Sequence, residues 1–196
     1  MRIKKAELLA IATKKDQYPP PGPPEVAFAG RSNVGKSSLL NLLTNRKRLA
    51  FVSGNPGKTQ TINFYAVNDD AFRIVDLPGY GYAKISRSVT AKWGQMVEAF
   101  LEGRETLRRV AILVDIRHEP SARDVQLYEY LKHYGLSGLI VATKADKVSR
   151  NVLAKQVKII RQVLSAAAED QVICVSALKK TGTEELLAEI GRIVEL

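Results

Sequence analysis

The sequence predicts a three-layer α/β fold: a mixed six-stranded sheet with one antiparallel hairpin and helices on both faces. Three observations predict it. After residue 24, apolar runs of strand length alternate with amphipathic stretches of helical length, as a sheet built largely from parallel strands requires. A glycine-containing loop, Gly30-Arg31-Ser32-Asn33-Val34-Gly35-Lys36-Ser37, stands between one such strand and one such helix. The strand-like runs Thr61-Ile62-Asn63-Phe64-Tyr65-Ala66-Val67 and Ala71-Phe72-Arg73-Ile74-Val75 are joined only through Asn68-Asp69-Asp70. That connection is too short for a crossover helix, so the pair must be antiparallel.

The elements follow in chain order. Residues 1–24 form an N-terminal extension ending in Pro19-Pro20-Pro21-Gly22-Pro23-Pro24. Proline excludes helix and inner strand there, so an extended lead-in is expected, with room before it for a short edge strand or a turn of helix. Residues 25–196 are expected to form the single domain. Val26-Ala27-Phe28-Ala29 reads as a buried strand and Leu39-Leu40-Asn41-Leu42-Leu43 as a helix. The loop between them has the G-x-x-x-x-G-K-S spacing of a phosphate loop in its required setting. Glycine lets the backbone approach a polyphosphate, and the loop N–H groups and helix N-terminus then face its charge. Lys36 would reach the β- and γ-phosphates, and the Ser37 hydroxyl would hold Mg2+.

Asp76-Leu77-Pro78-Gly79 closes the strand Phe72-Arg73-Ile74-Val75. A carboxylate there can hold Mg2+ through water, and the Gly79 N–H can meet a γ-phosphate. Thr143-Lys144-Ala145-Asp146 closes Gly138-Leu139-Ile140-Val141-Ala142. Asp146 could accept from both N1–H and the 2-amino group of guanine, a donor pair that adenine lacks. Ser176-Ala177 follows Val172-Ile173-Cys174-Val175, where a backbone N–H could contact the guanine carbonyl. Three helical stripes recur: Val89, Trp93, Met96, Val97 and Phe100; Leu153, Val157, Ile160 and Leu164; Leu186, Ile190, Ile193 and Val194. Such stripes ordinarily face a core. Thr181-Gly182-Thr183-Glu184 reads as a capping box opening the last helix.

Composition narrows the class. At 196 residues and 45% apolar content, the chain suits one domain with a full core. A lone cysteine, Cys174, excludes a disulfide framework and fits a reducing, cytoplasmic setting. The run Leu8-Leu9-Ala10-Ile11-Ala12 is too short for a signal peptide or a membrane span, so no membrane partner is expected. His118 and His133 lack companions at metal-ligand spacing and read as surface residues. The net charge is +10, and from Arg46 to Lys92 there are eight Lys/Arg against three Asp/Glu. A bound triphosphate needs only a few cations. The remainder, among them Lys4, Lys5, Arg46, Lys47, Arg48, Lys84, Arg87, Arg104, Arg108 and Arg109, suggests a polyanionic partner such as nucleic acid.

The four motifs, in this order and each at a strand end, resemble the set of translation-factor-like and Ras-like GTPases. The resemblance goes further. Tyr18-Pro19-Pro20-Pro21, the phosphate loop through Leu39, Pro56-Gly57-Lys58-Thr59-Gln60-Thr61-Ile62-Asn63-Phe64-Tyr65 and Asp76-Leu77-Pro78-Gly79-Tyr80-Gly81-Tyr82-Ala83-Lys84 look like the EngB family of small bacterial ribosome-biogenesis GTPases. It covers essentially the whole chain. It implies the P-loop GTPase fold, GTP/GDP as ligand and Mg2+ as cofactor. It also implies a precursor of the large ribosomal subunit as partner and an associated requirement for normal cell division and septation. Nucleotide contacts are implied from Gly30, Arg31, Ser32, Asn33, Val34, Gly35, Lys36 and Ser37; from Gly57, Lys58, Thr59, Gln60 and Thr61 in switch I; from Asp76, Leu77, Pro78 and Gly79 in switch II; and from Thr143, Lys144, Ala145, Asp146, Val175, Ser176 and Ala177 around the base. The catalytic set would be Lys36, Thr59, Gly79 and Asn33. Spacing leaves Thr59 and Thr61 both open as the switch I ligand of Mg2+, and the resemblance favours Thr59.

Two positions depart from the Ras-like pattern. Tyr80 stands where those enzymes carry a water-orienting Gln, so slow intrinsic hydrolysis is expected unless something else stabilises charge. Resemblance to potassium-stimulated GTPases implies that Asn33 could help hold K+ near the phosphates. Thr143 replaces the Asn usual in N-K-x-D, with a hydroxyl that can still bond the loop backbone. A monomer is expected. The alternatives are a nucleotide-gated RNA- or ribosome-binding module with negligible hydrolysis, and an ATP-using P-loop kinase. The guanine-reading elements argue against the kinase.

Overall fold

The computed structural model describes residues 1–46, 49, 61–81 and 87–196, with residues 87–92 described in backbone only. Seven strands are assigned: β1 Ala6–Ala12, β2 Glu25–Gly30, β3 Ile62–Val67, β4 Phe72–Asp76, β5 Leu107–Asp115, β6 Leu139–Thr143 and β7 Gln171–Cys174. The helices are α1 Lys36–Leu43, α2 Arg87–Gly103, α3 Ala122–His133, α4 Arg150–Val163 and α5 Thr183–Ile193. The sheet order is β1-β3-β4-β2-β5-β6-β7. β2, β4, β5, β6 and β7 run parallel, and β3 pairs antiparallel with both β4 and β1.

The expected mixed sheet and hairpin are present, with seven strands where six were expected. The extra strand comes from the N-terminal extension. β1 pairs from Ala6 opposite Val67 to Ala12 opposite Ile62, with a bulge between Leu8 and Ala10. The turn joining β3 and β4 secures it. Asn68, Asp69 and Asp70 all take left-handed backbone conformations, which Asn and Asp tolerate better than most residues. The Asn68 carboxamide oxygen then accepts from Lys4 N (2.7 Å), and its amide donates to Arg2 O (3.0 Å).

Alternation along β5 divides the core. Val110, Ile112 and Val114 pack with α2, α3 and α4 through Phe100, Tyr128, Leu131, Ile160 and Leu164. Ala111 and Leu113 pack with α1 and α5 through Leu39, Leu40, Leu186 and Ile190. Two-residue periodicity in a strand buried on both faces thus creates the three layers. The predicted stripes face these cores, except Leu153, which is half-buried and belongs to neither, and Val89, whose side chain lies outside the described residues.

The proline run ends against a buried charge cluster. Glu25 is fully buried; Arg104 donates to it through Nε (2.8 Å) and Nη2, and through Nη1 to Pro19 O (2.9 Å). Arg73 donates to Pro20 O (2.8 Å) and to the Asp70 carboxylate. Tyr18 packs its ring on Phe64 and Phe100 at 5.4 and 5.8 Å. Arg104, read from sequence as available to a polyanionic partner, is therefore committed internally. Arg46, Arg108 and Arg109 are exposed as expected.

One local reading is corrected. The α5 N-cap is Gly182, with no side-chain cap bond, so Thr181 and Glu184 do not form a capping box. Thr181 instead exchanges backbone hydrogen bonds with Ser176. Gly182 has φ 74°, and a Cβ there would lie 2.0 Å from Cys174 O. Only glycine closes the loop that tightly.

Candidate nucleotide-binding site

Four of the motifs lie at the C-terminal ends of the parallel strands, where α/β sheets form ligand crevices. Gly30 ends β2, Asp76 ends β4, Thr143 ends β6, and Val175-Ser176-Ala177 follow β7. The phosphate loop turns from β2 into α1 through Asn33 (φ 64°) and Gly35 (φ 106°). The Gly35 N-cap has no side-chain cap bond, a setting in which a helix N-terminus can hold an anion. Ser37 lies in its first turn, and Lys36 Nζ makes an ion pair with Asp76 Oδ1, both side chains largely buried.

The loops after β6 and β7 are tied to this loop. Thr143 Oγ1 lies 2.7 Å from Val34 O and 3.1 Å from Val114 O, the backbone bonding expected of the hydroxyl that replaces Asn. Lys144 is left-handed (φ 60°), and its ammonium donates to Asn33 O at 2.8 Å. Ala145 N–H donates to Val175 O (3.0 Å), and Ser176 Oγ donates to Asp146 Oδ1 (2.5 Å). The Ser176 hydroxyl holds the Asp146 carboxyl below its ordinary value, so it is ionised at neutral pH. Ser176 N–H is committed to Thr181 O (3.1 Å), so of the Ser-Ala pair it is not the one free to meet a base.

Sequence reasoning missed Asp115. It ends β5, between the phosphate and base loops. Burial alone would raise its carboxyl, but hydrogen bonds from Arg117 and Lys144 hold it well below the usual carboxylate range. The distances are 2.7 Å to Arg117 Nη2 and 2.9 Å to Lys144 Nζ. The signal was present: an apolar strand closed by Asp, the same pattern that singled out Asp76.

Switch II begins in a clamp. Trp93 Nε1 donates to Pro78 O (2.8 Å), and the Tyr80 phenol donates to Asp124 Oδ1 (2.7 Å). Burial first, and then the Asp124 charge, push the Tyr80 phenol well above its ordinary pKa. Ser32 N–H donates to Tyr80 O (2.7 Å), joining the phosphate loop to switch II. Leu77 and Pro78 are buried, and Gly79 sits against Ser32.

Gly57, Lys58, Thr59 and Gln60 lie outside the described residues. The Thr61 hydroxyl is hydrogen-bonded to Asn63 Oδ1 (3.1 Å). Among the described residues no cluster of three His, Cys, Asp or Glu could cage a metal. The donors present, one hydroxyl (Ser37) and one carboxylate (Asp76), fit Mg2+, which binds through few protein ligands together with substrate phosphates and water. His118 and His133 are exposed. Among the described residues no helix is long and apolar enough to cross a membrane.

Comparison with known proteins gives the family and the fold. The family model described as 50S ribosome-binding GTPase matches residues 25–145. The probable GTP-binding protein EngB of Clostridioides difficile (strain 630) is 53% identical over 190 residues, covering 97% of this chain and 93% of that protein. The protein of the same description from Bacillus subtilis (strain 168) is 48% identical over 194 residues, 99% of each chain. A crystal structure of a probable GTP-binding protein engB aligns with TM-score 0.73 at 21% identity, over 87% of this chain and 98% of that one. An Aquifex aeolicus Era variant bound to GDP and aluminium fluoride aligns with TM-score 0.67 at 24% identity, over 87% of this chain and 56% of that one. These two structural likenesses are likenesses of fold.

Proposed function

Because the chain belongs to the EngB family of GTP-binding proteins, a P-loop GTPase family, we propose that it hydrolyses GTP to GDP as a switch in assembly of the large ribosomal subunit. On this reading residues 25–196 are the GTPase domain, the protein acts as a cytoplasmic monomer, and its requirement for cell division follows from ribosome supply. The observation that carries the proposal is the convergence, at one end of the sheet, of Lys36, Asp76 and Asp146. The Lys144–Asn33 and Ser176–Asp146 hydrogen bonds tie their loops together.

Asp146 accepts from guanine N1–H and the 2-amino group, Ala177 N–H meets the guanine carbonyl, and the Lys144 stem covers the base. Lys36 turns to the β- and γ-phosphates, while Ser37, Thr59 and, through water, Asp76 would hold Mg2+, which would neutralise charge on the phosphate oxygens. Because Lys36 and Asp76 are paired to one another, nucleotide loading exchanges the partners of both together. Gly79 N–H and Thr59 read the γ-phosphate; its loss releases both switches.

Tyr80 faces Asp124 rather than supplying an amide to water, so intrinsic hydrolysis is slow. On this reading Asn33, which is exposed and left-handed, helps to hold K+. A cation there does part of the work of an arginine finger. Exposed Arg46, Arg108 and Arg109 supply part of the positive field toward ribosomal RNA.

GTP turnover in KCl and in NaCl at matched ionic strength, with and without large-subunit particles, tests this. Faster turnover in KCl is expected, with further stimulation by the particles. Equal rates in the two salts remove K+ from the account. The Tyr80–Asp124 hydrogen bond favours one second reading, a nucleotide-gated ribosome-binding module. Nucleotide-dependent particle binding without turnover under any of these conditions would establish it instead.

A further inference from the structure

We infer that the Ser32 hydroxyl is a direct donor to the γ-phosphate, and so a residue by which the protein tells GTP from GDP. The inference rests on the GTPase reading and assigns a role to a side chain in a loop otherwise read through its backbone. Ser32 Oγ is buried and has no hydrogen-bond partner among the described residues. Buried hydroxyls are ordinarily satisfied, and an orphan in a native site calls for a missing partner.

Two facts say where that partner sits. The Ser32 backbone N–H is already donated to Tyr80 O at 2.7 Å, which fixes the residue against switch II. A Cβ built on Gly79 would find Ser32 Oγ at 3.2 Å and Ser32 N and Cα at 3.5 Å, so among the described residues, the chain neighbours of Gly79 aside, Ser32 stands nearest to that point. An oxygen accepting from Gly79 N–H is therefore within reach of the Ser32 hydroxyl as well. The phosphate loop and switch II would each give one donor to the same terminal phosphate. GDP carries no such phosphate, so with GDP the hydroxyl gains nothing.

The test is Ser32→Ala, with dissociation constants measured for a non-hydrolysable GTP analogue, for GDP and for ATP on the same preparations, in Mg2+ buffer. A hydrogen bond to a charged acceptor is worth roughly a tenfold change or more in binding. The variant should bind the GTP analogue about tenfold more weakly, bind GDP within about twofold of wild type, and turn over GTP more slowly. Unchanged GDP binding also shows that the loop has folded. Loss of GDP and analogue affinity in equal measure would overturn the inference, because the hydroxyl would then be shaping the loop. Unchanged analogue affinity would overturn it too. Equal binding of ATP and guanine nucleotides by the wild type would instead overturn the GTPase reading itself, and the inference with it.

Discussion

The Tyr80 phenol donates a 2.7 Å hydrogen bond to Asp124 Oδ1, while Asp124 Oδ2 accepts from Ser121 N and Oγ at 2.6 Å. One buried carboxylate thus holds the start of switch II and caps α3 at once. Tyr80→Phe keeps the ring contact with Trp93 but leaves the carboxylate short of a partner. It should lower unfolding free energy by about 1–3 kcal/mol, read by denaturant titration. GTP turnover should stay within about twofold, because the lost hydroxyl faces α3 rather than the phosphate loop. A large fall in turnover with unchanged stability would mean that the phenol acts in the chemistry.

The Glu25–Arg104 pair fastens the proline run to the bottom of the sheet. Removing one partner of a buried pair leaves an uncompensated charge and costs about 3–5 kcal/mol. Arg104→Met should therefore be destabilising on that scale, with Arg73, 3.7 Å from Glu25, recovering part of the loss. Replacing both residues by apolar ones should cost less than the single change. The four unfolding free energies of the double-mutant cycle check this.

Asp115 anchors Lys144, which in turn spans Asn33 O. Asp115→Asn weakens one of two partners of an ammonium that is only half-buried, so the effect is modest. GDP affinity should fall roughly fivefold, on the scale of one partly screened charged hydrogen bond. Guanine preference over adenine should be unchanged, since Asp146 is untouched. Fluorescent-GDP titration with ATP competition reads both quantities.

Much of this site was legible because its chemistry is carried by short segments at strand ends. Gly30 through Ser37, Asp76 and Asp146 all fall where apolar runs stop. The short Asn68-Asp69-Asp70 connection, which forbids a parallel crossover, revealed the antiparallel hairpin. What the sequence hid depends on long-range pairing. Arg104 looked like a free surface cation because Glu25, its partner, lies 79 positions away. β1 was left open as an edge strand because its pairing with β3 spans the phosphate loop and switch I. The supposed capping box failed because Thr181 bonds backward to Ser176, a contact that local spacing does not encode. The role of Asp124, and the unpartnered hydroxyl of Ser32, became visible only when switch II was placed against α3 and the phosphate loop.

If Asp146 reads guanine, its hydrogen bond from Ser176 sets the pH range of that recognition. A carboxyl whose folded-state pKa is lowered contributes fully above its unfolded value, and the contribution is lost as pH falls through the folded value. For Asp146 the ordinary value is 3.8. Guanine preference should therefore be flat from neutral pH down to about 5 and decline only below the ordinary carboxylate range. Ser176→Ala should move that decline toward higher pH. Competition binding across a pH series checks both.

The central claim is that Asp146 selects guanine at a site whose phosphate loop is Gly30 to Ser37. Competition among GDP, GTP and ATP, with Asp146→Asn beside the wild type, tests it most directly. The account predicts strong guanine preference in the wild type and its loss in the variant, with the phosphate loop intact in both. Equal binding of ATP by the wild type, or guanine preference that survives Asp146→Asn, would contradict it.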